Sequence, residues 1–361
     1  MDMKSLLKRL VETESPSTVK SAVDRVGAIV ADEARRLGAD VQTVPVKEAG
    51  DHVMACWGGG NGILLLCHMD TVFPLGTLEK MPFCEADGKL FGPGVLDMKA
   101  GIVISLAAIE ELQKSGGLNR PVTLLCTSDE ETGSLTSEVL IKELAQKSEL
   151  VLVMESALLD GSLKTWRKGV GEFWVKVKGR AAHAGGAHEE GRNAIEEMSH
   201  QVLAIQKMTD YEKGTTLNVG VMQGGTVSNV VPEEATAQVD VRVMQPGEWE
   251  RVEAKMMALK SVLDGTSLEI SGSLNRPPMP FDERAKATFE KAKSIAAGIG
   301  IELKAGGSGG GSDANYVAPL GIPVLDGLGA IGNGYHSERE FIFTDSLQER
   351  ARLLAALLKN W

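Results

Sequence analysis

Three stretches of the chain share one layout, in which an uninterrupted apolar run stops at polar and chemically reactive side chains. They are GILLLCHMD (62–70), PVTLLCTSDEE (121–131) and ELVLVMES (149–156). Apolar runs of this length are typical of strands buried on both faces of a parallel sheet. Because ligands of open α/β sheets bind beyond the carboxyl ends of the strands, the three runs predict one shared crevice.

Residues 18–37 carry apolar side chains at helical spacing, which predicts a helix packed on that sheet. Between about residues 168 and 275 the pattern alternates between strands and amphipathic helices. The predicted elements are strands at 171–179, 215–225, 235–243 and 266–274 and helices at 193–208 and 249–263. The order βαββαβ predicts a ferredoxin-like α+β module, residues 167–276, inserted into an α/β domain with a mostly parallel central sheet flanked by helices.

The length of the chain agrees with this two-domain interpretation. At 361 residues the chain exceeds the usual size of a single hydrophobic core, so residues 1–166 and 277–361 are predicted to form the first domain around the insertion. A net charge of −11 argues against nucleic acid as a partner, since phosphate binding needs clustered Lys and Arg. No apolar run is long enough to cross a membrane, and residues 1–16 lack a signal-peptide core, so we expect a cytoplasmic protein.

The glycine-rich segment GGSGGGSDANY, residues 306–316, has two interpretations. Its composition fits a flexible linker. However, Ser312 or Asp313 can cap a helix that begins at Ala314, and the amides at such a helix start can hold an anion. We favour the helix start, because apolar segments flank the glycines closely.

Side chains that zinc prefers in catalytic sites gather where the apolar runs end. The candidates are His68 and Asp70 after the first run, Glu130 and Glu131 after the second, Glu155 after the third, and Asp97 and His336 at other predicted element ends. A lone Asp or His is more often a solvated or capping residue. Repeated placement at element ends favours a metal site, in which Asp70 would orient the neighbouring imidazole.

The charges of these groups favour two divalent ions. Two such ions carry +4, which Asp97, Glu131, Glu155 and one bridging hydroxide would balance. His68 and His336 add neutral nitrogen ligands. A bridging Asp97 would give each ion three protein ligands besides the shared water, as catalytic zinc sites require.

Eight short motifs along residues 60–361 together resemble the dizinc aminoacylase and carboxypeptidase family, especially its bacterial glutamate carboxypeptidases. They are HMDTVFP, GPGVLDMKAG, SDEETGS, MES, GRAAHAG, NVVPEEATAQVDVR, GGGSDAN and GYHSE. The resemblance implies a zinc-dependent enzyme that cleaves an amide or peptide bond adjacent to a free C-terminal carboxylate. It also implies that residues 1–166 and 277–361 form the catalytic domain and that residues 167–276 form a lid and dimerisation domain.

The resemblance further assigns the metal ligands, with Co²⁺ or Mn²⁺ as possible substitutes for two Zn²⁺ ions. It implies His68, Asp97 and Glu155 on one zinc, and Asp97, Glu131 and His336 on the other. Glu130 matches the general base that takes a proton from the bridging water, although the residues alone do not distinguish it from Glu131. Aminopeptidase branches of the family usually place Asp at position 155, so Glu155 weighs against an aminopeptidase.

Substrate-binding positions also follow from the resemblance. They are His183, Asn229 and Arg242 in the predicted insertion, together with Gly310, Gly311 and Ser312. His183 would stabilise an oxyanion from the partner subunit of a homodimer, and Arg242 offers a planar fork for a carboxylate. Without the resemblance, a surface residue or a weak metal pair with His188 would explain His183, and a strand-edge ion pair would explain Arg242.

Two alternatives stay open at the level of sequence. One is a deacylase of N-acyl amino acids such as N-acetylornithine or N-succinyl-diaminopimelate, which would use the same metal chemistry with a different substrate pocket. The other is a binding protein that keeps the fold and hydrolyses nothing. The binding protein is disfavoured because every ligand position and Glu130 are present.

Overall fold

The computed structural model describes all 361 residues, and its backbone divides into two compact units. Unit 1 comprises Met1–Trp166, Phe281–Ser308 and Ser312–Trp361, and unit 2 comprises Arg167–Pro280 and Gly309–Gly311. None of the helices combines the length and apolar character that a membrane span needs.

Nine α-helices are present. They are Met3–Val11 (α1), Lys20–Arg36 (α2), Ala100–Lys114 (α3), Glu138–Gln146 (α4), Ala194–Gln206 (α5), Glu248–Met257 (α6), Glu283–Ala297 (α7), Ala314–Val317 (α8) and Thr344–Asn360 (α9). The predicted helix at 249–263 is shorter than expected. Its last residues lie in the turn before the next strand, where the buried carboxylate of Glu197 accepts hydrogen bonds from the amides of Val262 and Leu263.

Eighteen β-strands are present. The first ten are Asp40–Val44 (β1), His52–Trp57 (β2), Ile63–His68 (β3), Cys84–Ala86 (β4), Lys89–Phe91 (β5), Val122–Thr127 (β6), Leu150–Val153 (β7), Leu163–Arg167 (β8), Gly169–Lys178 (β9) and Ala182–His183 (β10). The others are Thr216–Gly224 (β11), Val230–Val231 (β12), Glu234–Val243 (β13), Ser267–Arg276 (β14), Ala305–Ser308 (β15), Val324–Asp326 (β16), Gly332–Asn333 (β17) and Phe341–Phe343 (β18).

Unit 1 is built on a six-stranded sheet with the order β1-β2-β6-β3-β7-β16. The pairs β6–β3, β3–β7 and β7–β16 are parallel, and β1–β2 and β2–β6 are antiparallel. Every residue of β3 and β7 is buried, as the continuous apolar runs predicted. Helix α2 buries one stripe that includes Ala22, Val23, Val26 and Val30. The mostly parallel α/β sheet is therefore confirmed.

Unit 2 contains the predicted βαββαβ order, formed by β9, α5, β11, β13, α6 and β14. Its four strands are all antiparallel in the order β11-β13-β9-β14, which is the ferredoxin-like arrangement. Buried and accessible residues alternate along β9 and β13, so one face of the sheet is apolar. That face forms a core of its own, in which the rings of Phe173 and Trp249 stack with centroids 5.0 Å apart.

Candidate metal centre

The parallel strands of unit 1 end at the same edge of the sheet. His68 is the last residue of β3 and pairs in register with Thr127 at the end of β6, while Leu66 pairs with Val153 at the end of β7. The segments that follow β6 and β7 carry Glu130, Glu131 and Glu155 directly beyond this edge. The ends of the three strands therefore lie at one edge of the unit 1 sheet, where the three apolar runs predicted a crevice.

Two histidines approach one carboxylate from opposite oxygens. Nε2 of His68 lies 3.1 Å from Oδ1 of Asp97, and Nε2 of His336 lies 3.3 Å from Oδ2 of the same side chain. His68 Nε2 is also 3.5 Å from Oε1 of Glu155, and His336 Nε2 is 3.3 Å from Oε2 of Glu131. The structure therefore brings all five predicted metal ligands together, with Asp97 between two halves of the cluster.

The donor set fits divalent metal ions. The ligand atoms of His68, Asp97 and Glu131 lie within 4.8 Å of one another, and the same holds for His68, Glu130 and Glu155. Oε1 of Glu131 is buried and has no hydrogen-bond partner, which is costly for a carboxylate unless a cation binds it. Imidazole nitrogens and carboxylate oxygens in this number are the ligands of catalytic zinc sites.

The shifted pKa values of the cluster also indicate a site that attracts cations. Burial opposes protonation of His68, but its hydrogen bonds to surrounding carboxylates outweigh burial and hold the pKa of the ring well above its ordinary value. Hydrogen bonds to Asp97 and Glu131 raise the pKa of His336 to about 10. Burial raises the pKa of Glu131. A pocket that favours positive charge on both imidazoles also attracts metal cations.

Asp97 is presented by an irregular turn between β5 and α3. Gly94 begins the turn in a left-handed conformation (φ 71°), and a Cβ there would lie 2.6 Å from Cγ2 of Thr71. Asp97 itself has a non-helical backbone (φ −118°, ψ 92°). The turn therefore directs this carboxylate away from the path of the helix that starts at Ala100.

Asp70 supports the cluster from behind. Its carboxylate lies 3.4 Å from Nδ1 of His68, and its backbone oxygen lies 3.0 Å from the same nitrogen. It also accepts hydrogen bonds from the amides of Glu130 and Glu131 at 3.3 and 3.1 Å. Asp70 thus fixes the imidazole and the turn with the two glutamates, which is how supporting carboxylates orient metal ligands.

A further network in unit 1, which the sequence did not reveal, borders two of the predicted ligands. The hydroxyl groups of Ser156 and Tyr335 are 2.5 Å apart, and Nζ of the buried Lys164 donates to Oγ of Ser156 at 3.2 Å. The same Nζ lies 4.0 Å from Oε2 of Glu155. Because Ser156 follows Glu155 and Tyr335 precedes His336, the network connects the two ligand-bearing segments.

Glu340 is a second residue that the sequence analysis missed. It is wholly buried and accepts backbone hydrogen bonds from the turn that carries Asp97. Burial, with repulsion from Asp97, raises the pKa of Glu340 to about 8. It follows His336 by four residues in a polar stretch, so no apolar pattern indicated that it is buried.

The predicted substrate-binding residues of unit 2 lie in different local settings. His183 is exposed, and its Nδ1 accepts hydrogen bonds from the amides of Gly185 and Gly186 at 3.1 and 3.0 Å. The backbone oxygen of Asn229 accepts from the amide of Ala184. Arg242 forms a forked ion pair with Asp240, with Nη2 2.8 Å from Oδ2.

The glycine-rich segment forms hydrogen bonds both within itself and with Asp326 and Arg167. Oγ of Ser312 donates to Asp326 at 2.8 Å and accepts from the amide of Ala314, where α8 begins as predicted. The amide of Ser312 donates to the side chain of Asn315. Both donors of Ser312 are therefore engaged within unit 1, so the expected exposed amide is absent at this residue. In unit 2, the carbonyl oxygens of Gly310 and Gly311 accept from Nη1 of Arg167.

Comparison with known proteins identifies the family. The protein-family model described as Peptidase family M20/M25/M40 matches residues 64–360, which include every residue of the cluster. The chain belongs to this peptidase family. It is 31% identical to carboxypeptidase G2 of Pseudomonas sp. (strain RS-16) over 98% of this chain and 88% of the relative. The resemblance inferred from the eight motifs is thereby confirmed.

Two further relatives show the range of the family. The chain is 26% identical to succinyl-diaminopimelate desuccinylase of Hydrogenovibrio crunogenus over 98% of this chain and 97% of the relative. It also superimposes on the Bacillus subtilis protein YXEP, described as a dinuclear metal-binding peptidase of the M20 family, with a TM-score of 0.74. That match covers 99% of this chain and 96% of the other at 16% identity, and it shows the shared fold. The protein is thus a metallopeptidase-family hydrolase.

Proposed function

We propose that this M20-family hydrolase is a dizinc carboxypeptidase that removes an acidic C-terminal residue, glutamate above all, from a peptide or an N-acyl chain. The observation that carries the proposal is the position of Asp97 between His68 and His336, with Glu131 and Glu155 at the outer sides. One shared carboxylate with a histidine and a glutamate on either side provides three ligands for each of two ions.

When bound, two such ions supply Lewis-acid activation of the scissile carbonyl and a water of lowered pKa. The protein's own groups handle the protons. Glu130 accepts the proton of the attacking water and delivers it to the leaving amine, while Asp70 holds the Glu130 turn through its hydrogen bond to the Glu130 amide. Asp70 also fixes His68 in the orientation that leaves Nε2 free to bind metal.

His183 is suited to stabilise the oxyanion of the reaction. Since its Nδ1 accepts hydrogen bonds from two backbone N–H groups, the N–H of the ring is placed on Nε2. The exposed edge of this side chain is therefore a hydrogen-bond donor. A fixed donor of this kind stabilises the charge that develops on a carbonyl oxygen under attack.

Arg242 is proposed to bind the free carboxylate of the substrate. Its guanidinium already holds one carboxylate, that of Asp240, in a forked geometry, so it is oriented for this type of ligand. The two carboxylates would compete for the same donors. Gly310 and Gly311 are proposed to add backbone donors to the same group, and Asn229 to hydrogen-bond the substrate.

A homodimer through unit 2 belongs to the same proposal. Strand β11 is an edge strand on which Val221 and Met222 are exposed, and Leu203 is exposed on α5. An exposed apolar edge favours pairing with a second copy. The prediction of a cytoplasmic location is retained as part of the proposal.

A deacylase of N-acyl diamino acids is the second candidate. The observation in its favour is the 26% identity to succinyl-diaminopimelate desuccinylase over nearly the full length of both chains. The higher identity to carboxypeptidase G2 favours the carboxypeptidase.

The deciding experiment measures kcat/KM of the zinc-loaded protein for peptides and N-acyl amino acids that differ only in the C-terminal residue. We expect the highest values for C-terminal glutamate, and we expect Arg242→Ala to raise KM at least 10-fold for these substrates. The C-terminally amidated analogues lack the charge that Arg242 would bind, so their kinetics should be equally poor with both proteins. A preference for N-succinyl-diaminopimelate would support the deacylase, and absence of turnover with two metals bound would contradict both.

A further inference from the structure

Glu340 is a buried carboxylate to which the proposed reaction gives no task. Its Oε1 accepts hydrogen bonds from the amides of Leu96 and Asp97 at 2.7 and 3.1 Å, and its Oε2 accepts from the amide of Gly94 at 3.4 Å. The side chain has no exposure to solvent. Three backbone donors on one side chain make it the hydrogen-bond acceptor of a whole turn.

That turn is the one that presents Asp97 to both histidines. The amides of Leu96 and Asp97 lie in the first turn of residues 95–99, where helical amides have no intrahelical carbonyl partner, and both donate to the Glu340 side chain instead. Burying an amide without an acceptor destabilises the fold. The conformation that directs the Asp97 carboxylate between the two halves of the cluster therefore depends on Glu340.

Glu340 is also part of the segment that carries His336. The amide of Ser337 donates to the carbonyl of Gly334, and the amide of Glu340 donates to the carbonyl of Ser337, both at 3.1 Å. His336 lies inside this double turn with a left-handed backbone (φ 54°), which is uncommon for a residue with a side chain. A conformation of this kind persists only when surrounding bonds enforce it.

We propose that Glu340 is a positioning residue that ties the Asp97 turn to the His336 turn and thereby sets the spacing of the two metal positions. The inference rests on the proposed function, because it presumes that Asp97 and His336 bind metal. Replacing a residue that supports metal ligands in this way typically weakens metal binding by roughly 10- to 100-fold. The effect should be larger for the ion bound by His336, because Glu340 holds both of that ion's flanking turns.

The test compares Glu340→Gln with Glu338→Gln in the full-length protein. Glu338 is an exposed side chain of the same segment, so its variant controls for a Glu-to-Gln change that removes none of the buried hydrogen bonds. In Glu340→Gln the new side-chain amide keeps one oxygen for Leu96 and Asp97 but turns an NH₂ group toward the amide of Gly94. Co²⁺ binding is titrated with the metal-free proteins, and the visible absorption of the bound Co²⁺ reports the ligand geometry.

We expect Glu340→Gln to weaken binding of the second Co²⁺ by at least 10-fold and to shift its visible spectrum, while Glu338→Gln matches the wild type. A purely structural role would lower the thermal midpoint of the metal-free protein without changing the spectrum. Wild-type affinity and spectrum in a folded Glu340→Gln protein would overturn the inference.

Glu340→Asp provides a second variant if Glu340→Gln does not fold. Its carboxylate is one methylene shorter, so it should fold with weakened Co²⁺ binding and a shifted spectrum, and wild-type binding by this variant would equally overturn the inference. Failure of the wild-type protein to bind two Co²⁺ ions would instead contradict the proposed function. The two failures are therefore distinguishable.

Discussion

At the scale of single residues, the two adjacent glutamates after β6 have different surroundings. Glu131 points one oxygen at His336 and leaves the other buried without a partner, whereas the ligand atom of Glu130 groups with those of His68 and Glu155. A metal ligand needs a fixed place inside the cluster, and a general base needs access to the water that it deprotonates. The unpartnered oxygen favours the prediction that Glu131 is the metal ligand of the pair.

Replacing each glutamate by glutamine should separate these roles. We expect Glu130→Gln to keep both metal ions and to lose roughly 10²- to 10⁴-fold in kcat, since an amide cannot accept the proton. Metal content by elemental analysis and kcat at saturating substrate measure the two effects. Glu131→Gln should instead lower metal content, and a fully loaded Glu131→Gln protein would show that the assignment is reversed.

The residues that the sequence predicted and those it missed differ in one physical respect. His68 and Glu155 directly follow apolar runs that any buried strand must show, so their placement can be predicted. Lys164 and Glu340 are buried polar groups held by tertiary contacts, and nothing in their neighbours indicates burial. The hydrogen bond from Ser312 to Asp326 is also a tertiary contact that a local sequence pattern cannot reveal.

At the scale of elements, strand β9 and helix α6 contact each other through a glycine. A Cβ added to Gly171 would lie 2.2 Å from Cζ3 of Trp249, whose ring stacks on Phe173. Real side chains do not approach so closely, so the absence of a side chain at position 171 is what allows the indole to pack on the sheet.

Gly171→Ala should therefore destabilise unit 2 by about 1–3 kcal/mol, the usual cost of overpacking a core. Thermal unfolding followed by tryptophan fluorescence would measure the change. Gly309→Ala is a suitable control, because a Cβ there meets nothing within 4 Å and should change the midpoint little. Equal midpoints for both variants would mean that the indole moves aside without cost.

The first turn of α6 carries a stabilising charge network. Glu248 accepts hydrogen bonds from Arg251 and from Thr215, with Arg251 Nη2 and Thr215 Oγ1 each 2.7 Å from Oε2. The hydrogen bonds from Arg251 lower the pKa of Glu248 to about 2. A depressed carboxyl pKa stabilises the fold above the ordinary pKa, and this contribution is lost as the pH falls toward the folded value.

We expect Glu248→Gln to lose about 1–3 kcal/mol of stability at neutral pH. The difference from wild type should stay constant down to about pH 5 and shrink as the pH falls further toward about 2, as measured by urea unfolding at successive pH values. Glu250→Gln in the same turn is the control, since that side chain is exposed. A difference that does not depend on pH would show that the Glu248→Gln substitution acts through packing.

The order of elements was predictable, and their lengths were less so. The βαββαβ order of unit 2 followed from alternation and helical spacing, because each element shows one apolar face. The end of α6 was placed several residues too late. The apolar side chains beyond Met257 continue the helical spacing, but the amides there bond to the buried carboxylate of Glu197, which is distant in sequence.

At the scale of the whole molecule, the proposed dimer makes a prediction about shared sites. If His183 serves the catalytic centre of the partner, co-expression of His183→Ala with Glu130→Ala should produce heterodimers with one intact composite site. We expect activity well above that of either variant expressed alone, measured on heterodimers purified with two different tags. An inactive, verified heterodimer would mean that His183 acts within its own subunit.

Unit 1 is interrupted in the chain by unit 2, and this affects the order in which the two units fold. Strand β16 joins the sheet beside β7, although the whole of unit 2 lies between them in the chain. Contacts between distant segments form slowly, whereas unit 2 is almost continuous and can complete its own core from nearby residues. Since His336 follows β16, the inserted unit is expected to mature first. The residues of the candidate metal centre would then come together as one of the last steps of folding.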